Sequence, residues 1–545
     1  MKTFQARSFV QVHYHNRPGG VNTVIGHYAE GFAEACAEAY AEVFAKTLPK
    51  SSFANIIICK NDSKDGCKFP TGKIQNIPEC DYRAFQTKNA FLKTREILLR
   101  KLVAFIRSSG VPKPLCIVGH NLTLGKNCAL SSAFAHSARL CEHMSEEVRF
   151  LSIIHDFAEE GRIDCIRQIN ILRDFGIDIW NDLYPKTKNL HFVALNKRNY
   201  TLLKKTGFTV EMLANPVETG KMRREISVQA KQAAYNKLIS YSRRVHSPID
   251  LALPTLFYPA RVISRKNIVE AILLSNIIYK ANLLVGKRGP SPAHRALFKK
   301  IRMLCVKHKA PVVFNCSDAF SPRESENVFP SILYAVADAC LSTSIAEGFG
   351  YAFYEPWTNN KCVVGRRPMD FSPLPGMKFP GLYTRLPIPV SWISIHDCAR
   401  KYYDNMRRYC YVKHQKPLSK FKQEFINIFI KDDAIDFACL DEHIQFEVVE
   451  KLLESQSMAI EWERLCGKEL KQIRDNIKAG LKPDQSLIRS NRDHIKKKLS
   501  GQEFLKNFAQ CFFKVRPAGI PQNRFKEIAV YFSDLSHFRL LMAPE

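Results

Sequence analysis

Two glutamates eight residues apart, Glu347 and Glu355, enclose Gly348-Phe349-Gly350 directly after the apolar run 337–343. The run reads as a buried strand. The segment after it reads as a strand-to-helix turn whose glycines let the backbone approach a ligand, with Glu355 a little over two helical turns past Glu347. Carboxylates, close backbone and a helix start together suit a polyhydroxylated, phosphorylated molecule.

Other chemically capable residues fall at comparable positions. Arg261 and Lys266 stand at a strand end and a helix start, where two cations can converge on diphosphate oxygens or simply be solvated surface charge. Near the N-terminus, Asn16-Arg17-Pro18-Gly19-Gly20-Val21-Asn22 leads into a helix and is either a plain tight turn or a phosphate loop with free backbone N–H groups. His120-Asn121 and His155-Asp156 each follow an apolar run, where a histidine is either a structural hydrogen-bonding residue or a group delivered to a ligand. The loop 286–289, Gly-Lys-Arg-Gly, adds positive charge.

These positions presuppose an alternating framework. Strand-like runs at Val10–Tyr14, 55–59, 115–119, 150–154 and 191–195 are each followed by helix-like sequence, the first by the Ala/Glu-rich segment 23–46. A second series of strands is expected at Leu256–Arg261, 282–285, 311–314, 337–343 and 361–364. The order implies two α/β domains with mostly parallel sheets, whose ligands lie beyond the carboxyl ends of the strands. Asn215-Pro216-Val217 and a basic helix over 218–244 lead to Ser247-Pro248. The expected division is therefore 1–247, 248–440 and a helical, basic extension 441–545, in which Leu453, Ala459, Trp462, Leu465, Ile473 and Ile477 keep approximate helical spacing.

The composition bounds the partners. With 46% hydrophobic and 24% charged residues the chain is globular, and its 545 residues exceed one ordinary core. Neither a membrane-spanning run nor the apolar core of a signal peptide is found, so a cytoplasmic protein is expected. Seventeen cysteines without any Cys-x-x-Cys pair imply reduced thiols, mostly core residues such as Cys59, Cys116 and Cys340. A formal charge of +29 implies an anionic partner. Lys496, Lys497 and Lys498 form either a solvated helix face or a peripheral contact with the inner face of an anionic membrane. Nucleic acid is not expected, since no recognised module or aromatic-basic interleaving is present.

The chain resembles retaining glycosyltransferases of family 4, of GT-B fold. The resemblance rests on Gly19-Gly20-Val21, His155-Asp156, Asn215-Pro216-Val217, Arg261-x4-Lys266 and Glu347-x7-Glu355 with its Gly348-Phe349-Gly350, and covers roughly residues 10–370. It implies two Rossmann-like domains with a cleft between them, an acceptor-side domain first and a nucleotide-sugar domain second. It implies a nucleoside-diphosphate sugar as donor substrate, no cofactor and no metal. Arg261 and Lys266 would bind the diphosphate, Glu355 the ribose and Glu347 the transferred sugar. The backbone of Gly348, Phe349 and Gly350 would approach that sugar and the phosphate, Gly19 and Gly20 would close over it, and His155 would lie near the reacting centre. His120 and Asn121 are acceptor-side candidates by position alone. Ala260 and Asn267 depart from the family pattern by standing where many members carry glycine.

The expected activity is transfer of a hexose to a glycan, lipid-linked or small-molecule acceptor, with retention and without metal. Two alternatives are a disaccharide phosphorylase of the same fold and a non-catalytic basic protein that binds anionic membrane or nucleic acid.

Overall fold

The computed structural model describes residues 7–17, 19–43, 54–62, 66–69, 71–144, 147–217, 226–286, 292–320, 331–410, 416–513 and 525–542. Pro18, residues 44–46 and 218–225, and Lys287, Arg288 and Gly289 of the basic loop lie outside these. The chain divides into two compact units. Unit 1 comprises Met1–Pro216, Arg408–Lys413 and Leu499–Phe538; unit 2 comprises Val217–Arg407, His414–Lys498 and Arg539–Glu545.

Unit 1 holds seven parallel strands: β1 (Ser8–His15), β2 (Ala54–Lys60), β3 (Lys73–Asn76), β4 (Leu115–His120), β5 (Val148–Ile154), β6 (Leu190–Ala194) and β7 (Val210–Met212). Their spatial order is β3-β2-β1-β4-β5-β6-β7, so the winding reverses between β1 and β4. Both faces are covered, which is why β2, β4, β5 and β6 read as largely apolar runs, while β1 alternates apolar with buried polar residues. Alternation sends Val10, Val12 and Tyr14 to one face, beneath the helices Lys88–Arg107 and Cys128–Leu140. Phe9, Cys116, Leu151 and Val193 go to the other, where Tyr28 and Phe32 of the helix Gly20–Val43 pack with Phe504 and Phe508 of the helix Gly501–Phe513. That last helix belongs to the stretch expected as one extension, 441–545. The stretch is divided, its part up to Lys498 lying in unit 2 and Leu499–Phe538 in unit 1.

Unit 2 repeats the arrangement with β8 (Thr255–Tyr258), β9 (Asn282–Val285), β10 (Val312–Val313), β11 (Ala339–Ser342), β12 (Val363–Arg366) and β13 (Gly381–Tyr383), again parallel. The order is β10-β9-β8-β11-β12-β13, with reversal between β8 and β11. A small antiparallel sheet, β14-β16-β15 (Pro387–Pro389, Ala434–Asp436, Ile430–Lys431), has no counterpart in the strand pattern read from sequence. The helix Gln456–Leu481 packs on β12 and β13 of the main sheet and on β14, where the Trp462 indole N–H donates to Pro387 O at 2.9 Å; Trp462, Ile473 and Ile477 are buried, while Leu465 is 43% exposed and leaves the stripe. Gly480 permits the approach, because a Cβ there would stand 2.4 Å from Val364 Cγ1. The described cysteines are free thiols, and Cys59, Cys116 and Cys340 are buried.

One buried ionic network fastens unit 2. The Arg366 guanidinium donates to Glu270 Oε1 at 2.8 Å and to both Asp436 oxygens at 2.7 and 2.8 Å, and the Tyr383 hydroxyl donates to Glu270 at 2.5 Å. Burial pushes the Glu270 carboxyl up, with Arg366 opposing. Removing one partner from such a set strands a buried charge. Glu270→Ala is therefore expected to lower the unfolding free energy of unit 2 by about 3–5 kcal/mol, read as an earlier urea midpoint. An unchanged midpoint would count against a structural role for the network.

Candidate active site

In unit 2 the chain leaves β8 and makes a single 3₁₀ turn, Ser264–Lys266, that ends at Asn267 with φ 53° and ψ 51°. That left-handed conformation ordinarily calls for glycine, and asparagine is among the few other residues that adopt it readily. The departure at this position is thus compatible with the same turn.

The turn is fastened across the reversal point to the residues after β11. Ile345 N–H donates to Arg265 O at 3.0 Å, and the Thr343 hydroxyl reaches Lys266 O at 3.0 Å and Asn267 O at 2.8 Å. The Tyr258 hydroxyl donates to Lys266 O as well. These bonds bring Lys266 Nζ into an ion pair with Glu347 Oε1, both side chains being nearly buried. Arg265 Nη1 donates to Ala346 O at 3.1 Å. Burial works to raise the Glu347 pKa, but Lys266 and then Arg265 outweigh it and hold the carboxyl below its usual range. An ionised carboxylate and an ammonium therefore stand together at the carboxyl edge of the sheet, where an open α/β sheet takes its ligand.

Gly348 and Phe349 continue the turn, and Phe349 packs against the rings of Tyr351 and Tyr354 at 4.9 and 5.4 Å. Gly350, at φ 94°, starts the helix Tyr351–Thr358, and a Cβ there would lie 3.2 Å from the Phe371 ring. Glu355 sits within that helix and accepts from the Tyr334 hydroxyl at 3.2 Å. Arg261 is exposed after β8. The structure thus joins Lys266 to Glu347, whereas Glu355 makes its bond to Tyr334.

In unit 1 the predicted residues gather around the reversal between β1 and β4. Asn121 takes a left-handed conformation (φ 58°), and its side-chain oxygen accepts from the N–H groups of His155 and Asp156, each at 3.2 Å. The ends of β4 and β5 are thereby locked together. The His120 and His155 rings lie 6.0 Å apart. Gln11 Nε2 donates to Ile25 O at 3.1 Å, so its oxygen faces His120 Nε2 at 2.8 Å and accepts a hydrogen bond from the ring N–H. His120 Nδ1 is then a buried lone pair, and among the described residues neither it nor His155 Nε2 has a hydrogen-bond partner. Asp156 pairs with Arg162 at 3.0 Å. Gly20 begins the helix Gly20–Val43, Gly19 O accepts from Thr23 N–H at 3.1 Å, and Asn22 donates to His15 O and Arg17 O at 3.1 and 2.7 Å, closing the loop.

Motif reading missed Gln11, His13, His15 and Arg265. The first three were detectable by parity: in Val10-Gln11-Val12-His13-Tyr14-His15 every second residue is polar, and these continue the face of Phe9. Arg265 carried no signal of its own, because its role comes from a carbonyl 81 positions away.

The histidines also set a pH dependence. Burial chiefly lowers His13 to about 3, His15 to about 4 and His155 to about 4, with neighbouring His15 and Arg17 adding to the first two and Asp156 opposing the last. Each folded value lies below the unfolded one of about 6.5. The unfolded chain therefore takes up protons first, and stability complete above pH 6.5 is lost as pH falls toward 4. We expect the unfolding free energy of unit 1 to fall between pH 7 and pH 5 by about 1–2 kcal/mol per histidine, read as an earlier urea midpoint. A flat profile would show that these rings titrate normally.

No family model matches the chain. It is 26% identical over 442 residues to mannosylglucosyl-3-phosphoglycerate synthase of Petrotoga mobilis, covering 79% of each chain. Among solved structures it aligns with sucrose-phosphate synthase from Thermosynechococcus elongatus, at TM-score 0.49 and 11% identity over 93% of this chain and 98% of that one. It also aligns with WaaG, a glycosyltransferase of lipopolysaccharide biosynthesis, at TM-score 0.41 and 12% identity over 89% and 99%. These two alignments are too loose to carry a functional reading. The sequence similarity to a synthase of a glycosylated product, together with two parallel sheets whose winding reverses beside their first strand, agrees with the GT-B glycosyltransferase resemblance carried by the motifs.

Proposed function

We propose that the chain is a retaining glycosyltransferase that moves a hexose from a nucleoside-diphosphate sugar to an acceptor, without a metal. The observation that carries this reading is the Lys266–Glu347 pair at the strand reversal of unit 2, fastened by Thr343 and flanked by Arg265. Similarity to a synthase named for a glycosylated product supports it, and gives no comparable support to a phosphorylase or a non-catalytic binding protein. Because that product is a small glycoside, a small-molecule acceptor is favoured over a glycan or a lipid-linked one.

In this reading unit 2 carries the donor. Lys266 and Arg261 neutralise the diphosphate, and the backbone of Gly348, Phe349 and Gly350, with the start of the helix Tyr351–Thr358, faces the sugar and its phosphate. Glu347 accepts hydrogen bonds from hydroxyls of the transferred hexose, and Glu355 from those of the ribose. Breaking the bond between the anomeric carbon and the diphosphate oxygen builds negative charge on the leaving group, which a cation already fixed in place stabilises at no reorganisation cost. Glu347, held ionised by Lys266, suits a hydrogen-bond acceptor and an electrostatic partner for the positive anomeric carbon; it is not assigned as a nucleophile. In unit 1 the resemblance assigns Gly19 and Gly20 to the donor, His155 to the reacting centre, and position assigns His120 and Asn121 to the acceptor. Asn121 acts by positioning His155 through its main-chain N–H.

A cytoplasmic enzyme is the natural setting for such a donor. Among the described residues no helix is long and apolar enough to cross a membrane. Lys496, Lys497 and Lys498 are exposed on the helix Gln485–Leu499 and suit a peripheral contact with an anionic membrane.

Incubation with a panel of nucleotide-sugars and glycoside acceptors, phosphoglycerate glycosides included, reads nucleoside-diphosphate release directly. Lys266→Ala is expected to lower kcat by about 10²–10³-fold. Glu355→Ala should act mainly on donor KM, by about tenfold for one lost hydrogen bond to a charged group. Absence of release from every donor would end the proposal.

A further inference from the structure

Around Tyr82, at the carboxyl edge of β1, β2 and β4, unit 1 carries a constellation that the donor chemistry does not use. Tyr82 is 49% exposed. Arg17 Cζ lies 5.7 Å and Lys126 Nζ 5.8 Å from its ring centroid, and the His15 ring meets it edge-on at 4.7 Å. Arg17 and Lys60 both pair with Asp81, Lys60 at 2.8 Å, and Arg17 Nε lies 3.7 Å from Asp62. Asp81 Oδ1 also accepts from Tyr82 N–H at 2.8 Å, so the cations and the aromatic ring are held by one carboxylate. Arg17 and Lys60 are thus shared with the carboxylates Asp81 and Asp62, while Lys126 stands over the same ring beside the Cys165 thiol.

The same edge carries His155 and His120. His13 links them to this corner: its Nδ1–H donates to His120 O at 3.1 Å, and its ring lies 5.6 Å from that of His15. A ligand seated on Tyr82 would therefore be linked, through the rings of His15 and His13, to the residues of unit 1 assigned to the acceptor side. An aromatic face suits the apolar face of a sugar ring, whereas clustered ammonium and guanidinium groups suit a phosphate monoester.

We propose that this corner binds a phosphate-bearing glycosyl acceptor, its sugar against Tyr82 and its phosphate between Lys126, Lys60 and Arg17. The proposal rests on the transferase reading and adds to it the chemical class of the acceptor. The phosphate displaces part of the Asp81 pairing of Lys60 and Arg17 and accepts a further hydrogen bond from Lys126. Neutral acceptors gain the stacking alone.

The test compares the best phosphate-bearing acceptor with the same compound after phosphatase treatment, reading nucleoside-diphosphate release. Wild type is expected to favour the phosphorylated form by at least about tenfold in kcat/KM. Lys126→Ala and Lys60→Ala should each shrink that preference through acceptor KM while donor KM stays constant, and Lys126→Arg should restore it. Tyr82→Ala should raise KM for both forms. Equal use of the two forms by wild type, or a lysine variant that weakens both alike, would overturn the proposal while leaving the transferase reading intact. Should no donor be cleaved at all, titration with 3-phosphoglycerate decides the corner on its own. Binding that weakens about tenfold in Lys126→Ala supports it, and no binding overturns it.

Discussion

In each unit the winding of a parallel sheet reverses once, between β1 and β4 and between β8 and β11. At such a reversal the chains leaving two neighbouring strands run to opposite faces, so their carboxyl ends are left open to a ligand. What matters is which side chains and turns the sequence puts there. In unit 2 they are the turn Ser264–Lys266 and the stretch after β11, held together by main-chain and hydroxyl hydrogen bonds. In unit 1 they are His15, His120 and Asn121, with His155 one strand further on.

The two reversals are furnished differently, and the difference has chemical content. Unit 2 offers a fixed ion pair whose carboxylate is kept ionised by adjoining cations, a polar environment prepared for charge that develops elsewhere. Unit 1 offers imidazoles that burial keeps neutral, together with one exposed aromatic ring ringed by cations. A neutral His120 whose proton is fixed on Nε2 by Gln11 presents a lone pair, which an imidazolium could not do. The Ile25 carbonyl that orients Gln11 lies on the helix that starts at Gly20, so the glycine loop and the histidine edge share one support.

Support for the ion pair reaches deeper into unit 2. Asn267, which closes the turn, donates to Glu270, and Glu270 is bound by Arg366, which in turn holds Asp436 of the small antiparallel sheet. A set of charges this buried contributes little net stability compared with apolar packing, but it fixes geometry, since each member is costly to leave unpaired. The position of Lys266 is thus tied to residues as distant in sequence as Asp436.

Most of the framework was legible from local sequence. Strands buried on both faces are largely apolar, so β2, β4, β5, β6, β8, β9, β10, β11 and β12 announced themselves, and β1 did so through Val10, Val12 and Tyr14, as did the turns that follow them. The short or half-exposed strands β3, β7 and β13 and the sheet β14-β16-β15 carry too few apolar residues to do so. The stretch 441–545 was expected as a single extension, yet Phe504 and Phe508 complete the core of unit 1 while Trp462 and Ile473 pack in unit 2. Helical spacing shows that a face must be buried, not against what. Residue types by themselves determined that carboxylates, cations, glycines and histidines stand at strand ends. Only the tertiary structure decided that Lys266 meets Glu347, that Asn267 supplies the left-handed turn, and that Arg17 and Lys126 flank Tyr82. Those contacts join residues up to 81 positions apart, and such proximity is set by strand order, which no local pattern encodes.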